Sequence, residues 1–259
     1  VVVGGGFAGI ETIAKLEDMA RHLVSLNDRV QQSEVRFVLV EAMGRIMPEV
    51  TAEQAEWVVE HLRSRGVEVL LNTSLADATD GYLQLINMAD KSPADAFYSD
   101  TLIWCAGVMA NPMVRSTDFP IEQRGRIETR TDLRIKDANG DALDGAWAAG
   151  DVSAVKDVTG GLPDDNPGGL FVRPTVRQAK LLAKNLYAAR YGVGRIKEYK
   201  HKNLGAVAGF GKNKGVAKVV GIKLKGWPAW MVHRGYHGMA MPTFERKFRV
   251  LGDWMVAWF

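Results

Sequence analysis

The 259-residue sequence is 47% apolar, enough for a full core and for two structural units. Its one cysteine, Cys105, excludes an intrachain disulfide and favours a cytoplasmic setting over a secreted one. The net charge of +3 hides an asymmetry: residues 195–259 carry 13 Lys and Arg against 3 Asp and Glu, a balance of +10 that leaves −7 on the rest, and such a basic block suits an anionic partner, either nucleic acid or a membrane surface.

The chain opens with VVVGGGFAGIE. Three β-branched residues read as a buried parallel strand, and Phe7 to Leu26 reads as the helix that follows. Gly4, Gly6 and Gly9 between them have the G-x-G-x-x-G spacing. In that motif the first glycine makes the strand-to-helix turn, the second admits a pyrophosphate, and the third lets helix and strand pack closely. The free N–H groups at the helix start then face the phosphates. A second strand, Val35 to Val40, ends in Glu41. A carboxylate there accepts hydrogen bonds from an adenosine ribose and repels a 2′-phosphate, which favours NAD over NADP. Glu41 lies 32 residues after Gly9, against about 20 in the common fingerprint. The polar insert SLNDRVQQS, residues 25–33, absorbs the excess. Because the chain starts inside a strand, without an initiator Met or signal peptide, it is expected to continue upstream.

Next comes a loop over residues 42–50, then a helix from Thr51 to Arg65. Thr51 and Gln54 fit a capping box, and Gly66 fits the C′ position. Strands are predicted at Val67 to Asn72 and Thr101 to Val108, with Tyr82 to Asn87 in an antiparallel excursion between them. Cys105 reads as a buried structural thiol. Two further strands, Gly125 to Thr129 and Ala146 to Gly150, lead to Asp151, at a strand end where ligands of open α/β sheets sit. Asp151 either binds cofactor hydroxyls or caps the following segment. Residues 163–169 form a loop. Thr175 to Tyr191 is a helix whose buried stripe is predicted as Val176, Ala179, Leu182, Ala183, Leu186 and Ala189. Leu204 to Lys225 resembles a hairpin turning at Gly211 to Lys214. The last predicted helix, Thr243 to Trp258, aligns Phe244, Phe248, Leu251, Met255 and Trp258, with Arg246, Lys247 and Arg249 beside the stripe. That pattern suits either a membrane interface or packing on a protein surface; the basic block and four C-terminal Trp residues favour the membrane.

Three motifs, GGGFAGIE, TLIWCAGV and GAWAAGD, together resemble the pyridine-nucleotide disulfide-oxidoreductase superfamily. The segment KNLGAVAGFGKNKGVAKVVG and the text after it, LKGWPAWMVHRGYH and ERKFRVLGDWMVAWF, are similar to its type II NADH dehydrogenases, non-electrogenic NADH:quinone oxidoreductases. The resemblance runs over essentially the whole chain. It implies an α/β fold: a Rossmann-like NADH-binding domain (1–112), the C-terminal part of a FAD-binding domain (113–194), and an amphipathic membrane-docking region (195–259). It assigns Gly4, Gly5, Gly6, Phe7, Gly9, Ala106 and Gly107 to NADH, Glu41 to its ribose, and Glu11 to a place near the nicotinamide. Gly150 and Asp151 would meet the ribityl chain of FAD, and the helix starting at Pro174 and Thr175 would face the flavin pyrimidine. The family's first glycine motif, which holds the FAD adenosine, would lie upstream. The family's Ala-Gln at this helix start, whose Gln lines the quinone pocket, is absent from RPTVRQAK, where Arg173 or Arg177 takes that place beside Gln178.

The implied activity passes a hydride from NADH to FAD and then electrons to a membrane quinone, without proton pumping. The enzyme would be peripheral on the cytoplasmic side of the cell membrane and held by anionic lipid, with no metal and no nucleic acid; a homodimer stays open. The alternatives are a superfamily flavoprotein reductase with a protein electron acceptor, and a non-catalytic NADH-binding module docked on a membrane.

Overall fold

The computed structural model describes residues 1–159, 175–201 and 205–256. The chain begins with β1 (Val2–Val3), α1 (Phe7–Ser25), β2 (Phe37–Val40), α2 (Ala52–Ser64) and β3 (Val67–Leu70). An antiparallel excursion follows, of β4 (Thr73–Thr79), β5 (Tyr82–Asn87) and β6 (Pro93–Tyr98), before the chain returns as β7 (Ile103–Trp104). Four short strands come next: β8 (Ile127–Glu128), β9 (Arg134–Lys136), β10 (Ala142–Trp147) and β11 (Ser153–Ala154). After them lie α3 (Thr175–Tyr191), β12 (Gly205–Gly209), β13 (Gly215–Val219), β14 (Ile222–Lys225), α4 (Trp227–Ala240) and α5 (Phe244–Val256). Two compact units result, one of Val1–Gly107 with Leu204–Phe259, the other of Val108–Asn203. Where three segments were expected, 1–112, 113–194 and 195–259, the chain forms two units, with the C-terminal sheet and helices grouped with the first strands.

In the first unit the parallel sheet has the order β3-β2-β1-β7. Successive strand residues face opposite ways. Leu39 therefore joins Ile10, Ile13, Val58 and Leu62 beneath α1 and α2. Val38 and Val40 join Val3 and Leu85 on the other face, under the excursion. Burial on both faces explains why VRFVLV is nearly unbroken apolar sequence. Thr51 and Gln54 make the predicted capping box, and Gly66 follows α2 with φ +84. The strand expected over residues 101–108 contracts to two residues at the sheet edge. There Trp104 is 62% exposed and Cys105 is half-buried against the core, not fully buried.

The C-terminal sheet, order β12-β13-β14, packs on this same unit. Ala208, Phe210 and Val216 enter the core beneath α1 and α2. The buried Gln54 donates its side-chain amide to the carbonyls of Ala217 (3.0 Å) and Leu224 (3.3 Å). Arg65 donates to the carbonyls of Ala14 and Phe210, both at 2.8 Å, and pairs with Glu17 and Asp18. The predicted hairpin has a third strand because Val220 and Gly221, with φ +49 and +83, close a tight turn between β13 and β14. Glycine tolerates that backbone region; valine rarely adopts it, so its sequence gives no turn signal. Helix α4, not foreseen in the sequence, lies on this sheet with Ala229 and Trp230 buried. No residue of α5 is buried.

In the second unit β8 pairs with β11 in parallel and β9 with β10 antiparallel. Val114, Ile127, Ile135 and Ala148 form one core cluster. Helix α3 has the predicted bounds but buries a different face. Val176 and Leu186 are 71% and 42% exposed, and Ala179, Ala183 and Ala189 are exposed as well. The buried residues are Gln178, Asn185 and Ala188, with Leu181 and Leu182 packed beside them. The two amides win the inner face because they satisfy backbone groups that burial would otherwise leave unpaired. Asn185 donates to the carbonyls of Asp132 (2.9 Å) and Lys197 (2.8 Å), and accepts from Lys197 N–H (3.0 Å).

Candidate functional site

The glycine turn lies where the strand order of the parallel sheet reverses. The chain passes from β1 outward to β2 and β3, then crosses to β7 on the other side of β1. Ligands of open α/β sheets bind at such a switch point, beyond the carboxyl ends of the strands. Gly4 has φ +109, and a Cβ there would lie 2.5 Å from the Cys105 carbonyl and 2.6 Å from Ala106 N. A Cβ on Gly9 would lie 1.8 Å from the Gly4 carbonyl oxygen, so strand and helix meet at a distance only glycine permits. Gly6 differs, with nothing within 4 Å of its Cβ position. The turn thus packs tightly at its first and last glycines and opens to free space at the middle one. Phe7 begins α1 there, and Gly6 is its N-cap without a side-chain cap, so the helix start remains available for an anion.

Glu41 is 93% buried, since only 7% of it is exposed. Its Oε2 accepts the Gly5 N–H at 2.5 Å and its Oε1 accepts the Met43 N–H at 2.7 Å. Met47 N–H donates to the Gly5 carbonyl at 2.9 Å. The acid at the end of β2 therefore also fixes the glycine turn, a role the sequence reading did not include. Ala106 and Gly107 follow β7 after Cys105 and are exposed, with Ala106 N beside Gly4 of that turn.

Glu11, one turn along α1, is held by the C-terminal sheet and α4. Its Oε1 accepts the Gly209 N–H at 2.9 Å and lies 3.0 Å from His233 Nε2, while Lys15 Nζ is 3.9 Å from Oε2. Burial alone would raise this carboxyl; the hydrogen bonds from His233 and Gly209 and the charges of Lys15 and His233 carry it below its ordinary value. The His237 ring stands 4.5 Å from His233. Burial, the charge of His233 and that of Lys15 push His237 below the usual imidazole range, against the pull of Glu11. No motif joins Glu11 to His233, because the pair is made only by the packing of α4 over β12.

The flavin candidates lie in the second unit. Asp151 sits in a single 3-10 turn, residues Gly150–Val152, and is exposed. It lines a cavity of about 280 Å³ with Val108, Met109, Ala110, Arg124 and Arg126. The buried Gly150, with φ +77, donates its N–H to Gln178 Oε1 at 2.6 Å. The first turn of α3 is therefore fastened to the Asp151 turn. Thr175 is the first residue of α3, and Arg177 is half-buried. Gln178 is fully buried on Gly150, a structural engagement that its expected place at a quinone did not anticipate. Arg173, Pro174, the loop at 163–169 and Trp258 lie outside the described residues. A carboxylate exposed on a well-fastened turn beside a helix start fits a polyol chain with an adjacent electron-rich ring. No group of three or more His, Cys, Asp or Glu suited to a metal occurs among the described residues.

The family profile described as pyridine nucleotide-disulphide oxidoreductase matches residues 1–178. The type II NADH:quinone oxidoreductase of Staphylococcus saprophyticus is 28% identical over 228 residues, covering 87% of this chain and 53% of that protein. Its counterpart from Staphylococcus aureus is 29% identical over the same coverage. The chain spans about half the length of these curated relatives. Among solved structures, NDH2 from Plasmodium falciparum in complex with NADH superposes with a TM-score of 0.81 at 16% identity, over 98% of this chain and 64% of that one.

Proposed function

We propose that this chain, which belongs to the pyridine nucleotide-disulphide oxidoreductase family, takes part in flavin-dependent oxidation of NADH by a membrane quinone. The observation that carries the reading is the glycine turn at the β1/β7 switch point, open at Gly6 and tied through Gly5 to Glu41. Gly6 and the start of α1 would hold the pyrophosphate, with Gly4 and Gly9 keeping the turn tight. The Glu41 oxygens retain lone pairs for ribose hydroxyls beyond their two backbone donors, and their charge disfavours a 2′-phosphate. Ala106 and Gly107, which present backbone beside the turn, and Glu11, held rigidly by Gly209 and His233, would flank the nicotinamide end.

FAD, when bound, supplies the hydride acceptor and passes electrons onward. In this reading Asp151 binds its ribityl hydroxyls, Gly150 brings the backbone close, and the Pro174–Thr175 helix start offers positive potential to the ring. Arg173 and Arg177 would approach a quinone headgroup at that helix start, and Gln178 would support them by fixing Gly150. Likeness to relatives called NADH:quinone oxidoreductases supports the choice of quinone. The exposed apolar stripe of α5 supports access to the bilayer, which in this reading is from the cytoplasmic face, and no described helix is long and apolar enough to cross a membrane.

Stopped-flow reduction of the FAD-loaded protein tests the donor side. NADH should bleach the flavin at least tenfold faster than NADPH at equal concentration, and a short-chain quinone should then reoxidise it. Equal rates with the two nucleotides would remove the ribose role of Glu41. A flavin that quinones leave reduced, while a protein acceptor oxidises it, would replace the quinone.

A further inference from the structure

The first unit contains a cavity of about 630 Å³ between α4, α5 and the β12–β13 turn. One wall is apolar and aromatic: Trp230, Trp254, Leu251 and Met255. The lining also carries three cations, Arg234, Lys15 and Lys212, beside His233. Arg234 lies over two indoles, its Cζ 4.2 Å from the Trp230 ring centroid and 4.8 Å from the Trp254 ring centroid. Contact with ring faces leaves the in-plane N–H donors of a guanidinium for a ligand. Among the described residues Arg234 makes no ion pair, and burial lowers its pKa without a carboxylate to offset it. Two acids of α1 on this side of the unit are engaged, Glu11 with Gly209, His233 and Lys15, and Asp18 with Arg65.

A free anion would leave the aromatic wall unused, and an uncharged oil would leave the guanidinium unpaired. Leu251 and Met255 also belong to the exposed stripe of α5, 45% and 62% accessible, so the cavity is continuous with that stripe. We propose that this cavity is a specific site for one anionic phospholipid, with its phosphate on Arg234 flanked by Lys15 and Lys212 and an acyl chain between α4 and α5 along Leu251 and Met255. The choice of a lipid rests on the reading of α5 as a membrane-facing helix. The site would give the protein a discrete headgroup preference, which diffuse attraction of the basic block alone does not confer.

Isothermal titration of the protein with monomeric dihexanoyl phosphatidylglycerol, dihexanoyl phosphatidylcholine and inorganic phosphate tests this. The phosphatidylglycerol should bind at least tenfold more tightly than the phosphatidylcholine, and phosphate should not displace it at equal concentration. Arg234→Gln should reduce the preference to within twofold. Equal binding of the two lipids, displacement by phosphate, or an unchanged preference in R234Q would each overturn the site. If R234Q loses its near-UV circular dichroism, Lys15→Gln combined with Lys212→Gln asks the same question on exposed side chains. A variant with Phe244→Asp and Phe248→Asp, residues outside the cavity lining, should still bind the short-chain lipid. If wild type bound that lipid yet ignored anionic vesicles, only the docking reading of α5 would fall.

Discussion

Glu41 illustrates how one side chain can serve both the fold and a ligand. Its carboxylate closes on the N–H groups of Gly5 and Met43 while largely removed from solvent. Replacing it by Ala leaves two donors unpaired, and each buried orphan costs about 1–3 kcal/mol. Glu41→Gln keeps the shape and one acceptor but loses the charge and turns its NH2 toward the other N–H donor. The Ala variant should therefore be less stable to urea as well as weaker for NADH, whereas the Gln variant, with one of the two donors still paired, should also lose stability and lose discrimination against NADPH. Equal stability of all three proteins would show that the Gly5 and Met43 bonds contribute nothing. Gly9 makes a sharper case, because a Cβ there meets a backbone carbonyl 1.8 Å away and no rotamer relieves the clash. Gly9→Ala should lower stability by about 1–3 kcal/mol, as overpacking does, and should abolish measurable NADH binding in fluorescence titration; near-native affinity would mean the turn can widen freely. Glu11 gives a pH signature. Its carboxyl ionises more readily in the folded protein than its ordinary value of 4.5. The stability it contributes is thus complete above that value and is lost as pH falls through the lower, folded-state value. Thermal unfolding of Glu11→Gln should show a shallower acid limb than wild type below about pH 4.5, with little divergence in slope near neutrality; parallel limbs would count against the pair with His233.

At the level of elements, boundaries with local chemistry were legible and faces set by tertiary partners were not. The Thr51 cap and Gly66 mark the ends of α2 in sequence and in structure alike. Leu83 and Leu85 alternate with exposed Tyr82 and Gln84, as the pattern of β5 foretold. The glycine turn was legible because its spacing encodes close approach, and the structure shows that approach at Gly4 and Gly9. Helix α3 shows the limit. Reading apolar periodicity placed Leu182 correctly but missed the inner face around it, where the amides Gln178 and Asn185 are buried with Ala188. Only the carbonyls of Asp132 and Lys197, far apart in sequence, explain why an Asn belongs there. Asn185→Leu keeps the volume but orphans those groups, and should cost about 1–3 kcal/mol per unpaired group in urea unfolding; a neutral result would return the helix to a purely apolar account. Helix α4 was missed for a related reason. Gly235 and Gly238 dilute its periodicity, and what holds it down is Trp230 against Gly215, where a Cβ would come within 2.9 Å of the Trp230 backbone. The preceding Gly226, with φ +69, and Pro228 in the first turn were the available signals.

At the scale of the whole molecule, charge and exposed apolar surface gather at the same end of the chain. The +10 of residues 195–259 includes Arg246, Lys247 and Arg249 on α5. On that same helix Phe244 and Phe248 are 77% and 67% exposed, with ring centroids 5.1 Å apart. A helix folded onto its own core would bury such residues, and α5 buries none. An interfacial helix gains from both features. Each cation near an anionic surface contributes about 1 kcal/mol. Each Phe inserted in full adds roughly 1.5–3 kcal/mol as an upper figure. The two terms respond differently to salt, because screening weakens the ionic one and leaves apolar burial nearly intact. Wild-type protein should therefore co-sediment with phosphatidylglycerol vesicles at low salt and partly remain bound at 0.5 M salt. Replacing Phe244 and Phe248 with Asp removes the apolar term and opposes the ionic one, so binding should be strongly reduced at low salt and absent at high salt. Both side chains are exposed, and the unfolding midpoint of the double variant should match wild type. Vesicle binding that is unchanged in the double variant would exclude insertion of this stripe and leave attachment to the basic residues alone. A double variant that unfolds at lower temperature would instead show that the stripe packs against protein in solution, as a second copy of the chain would require.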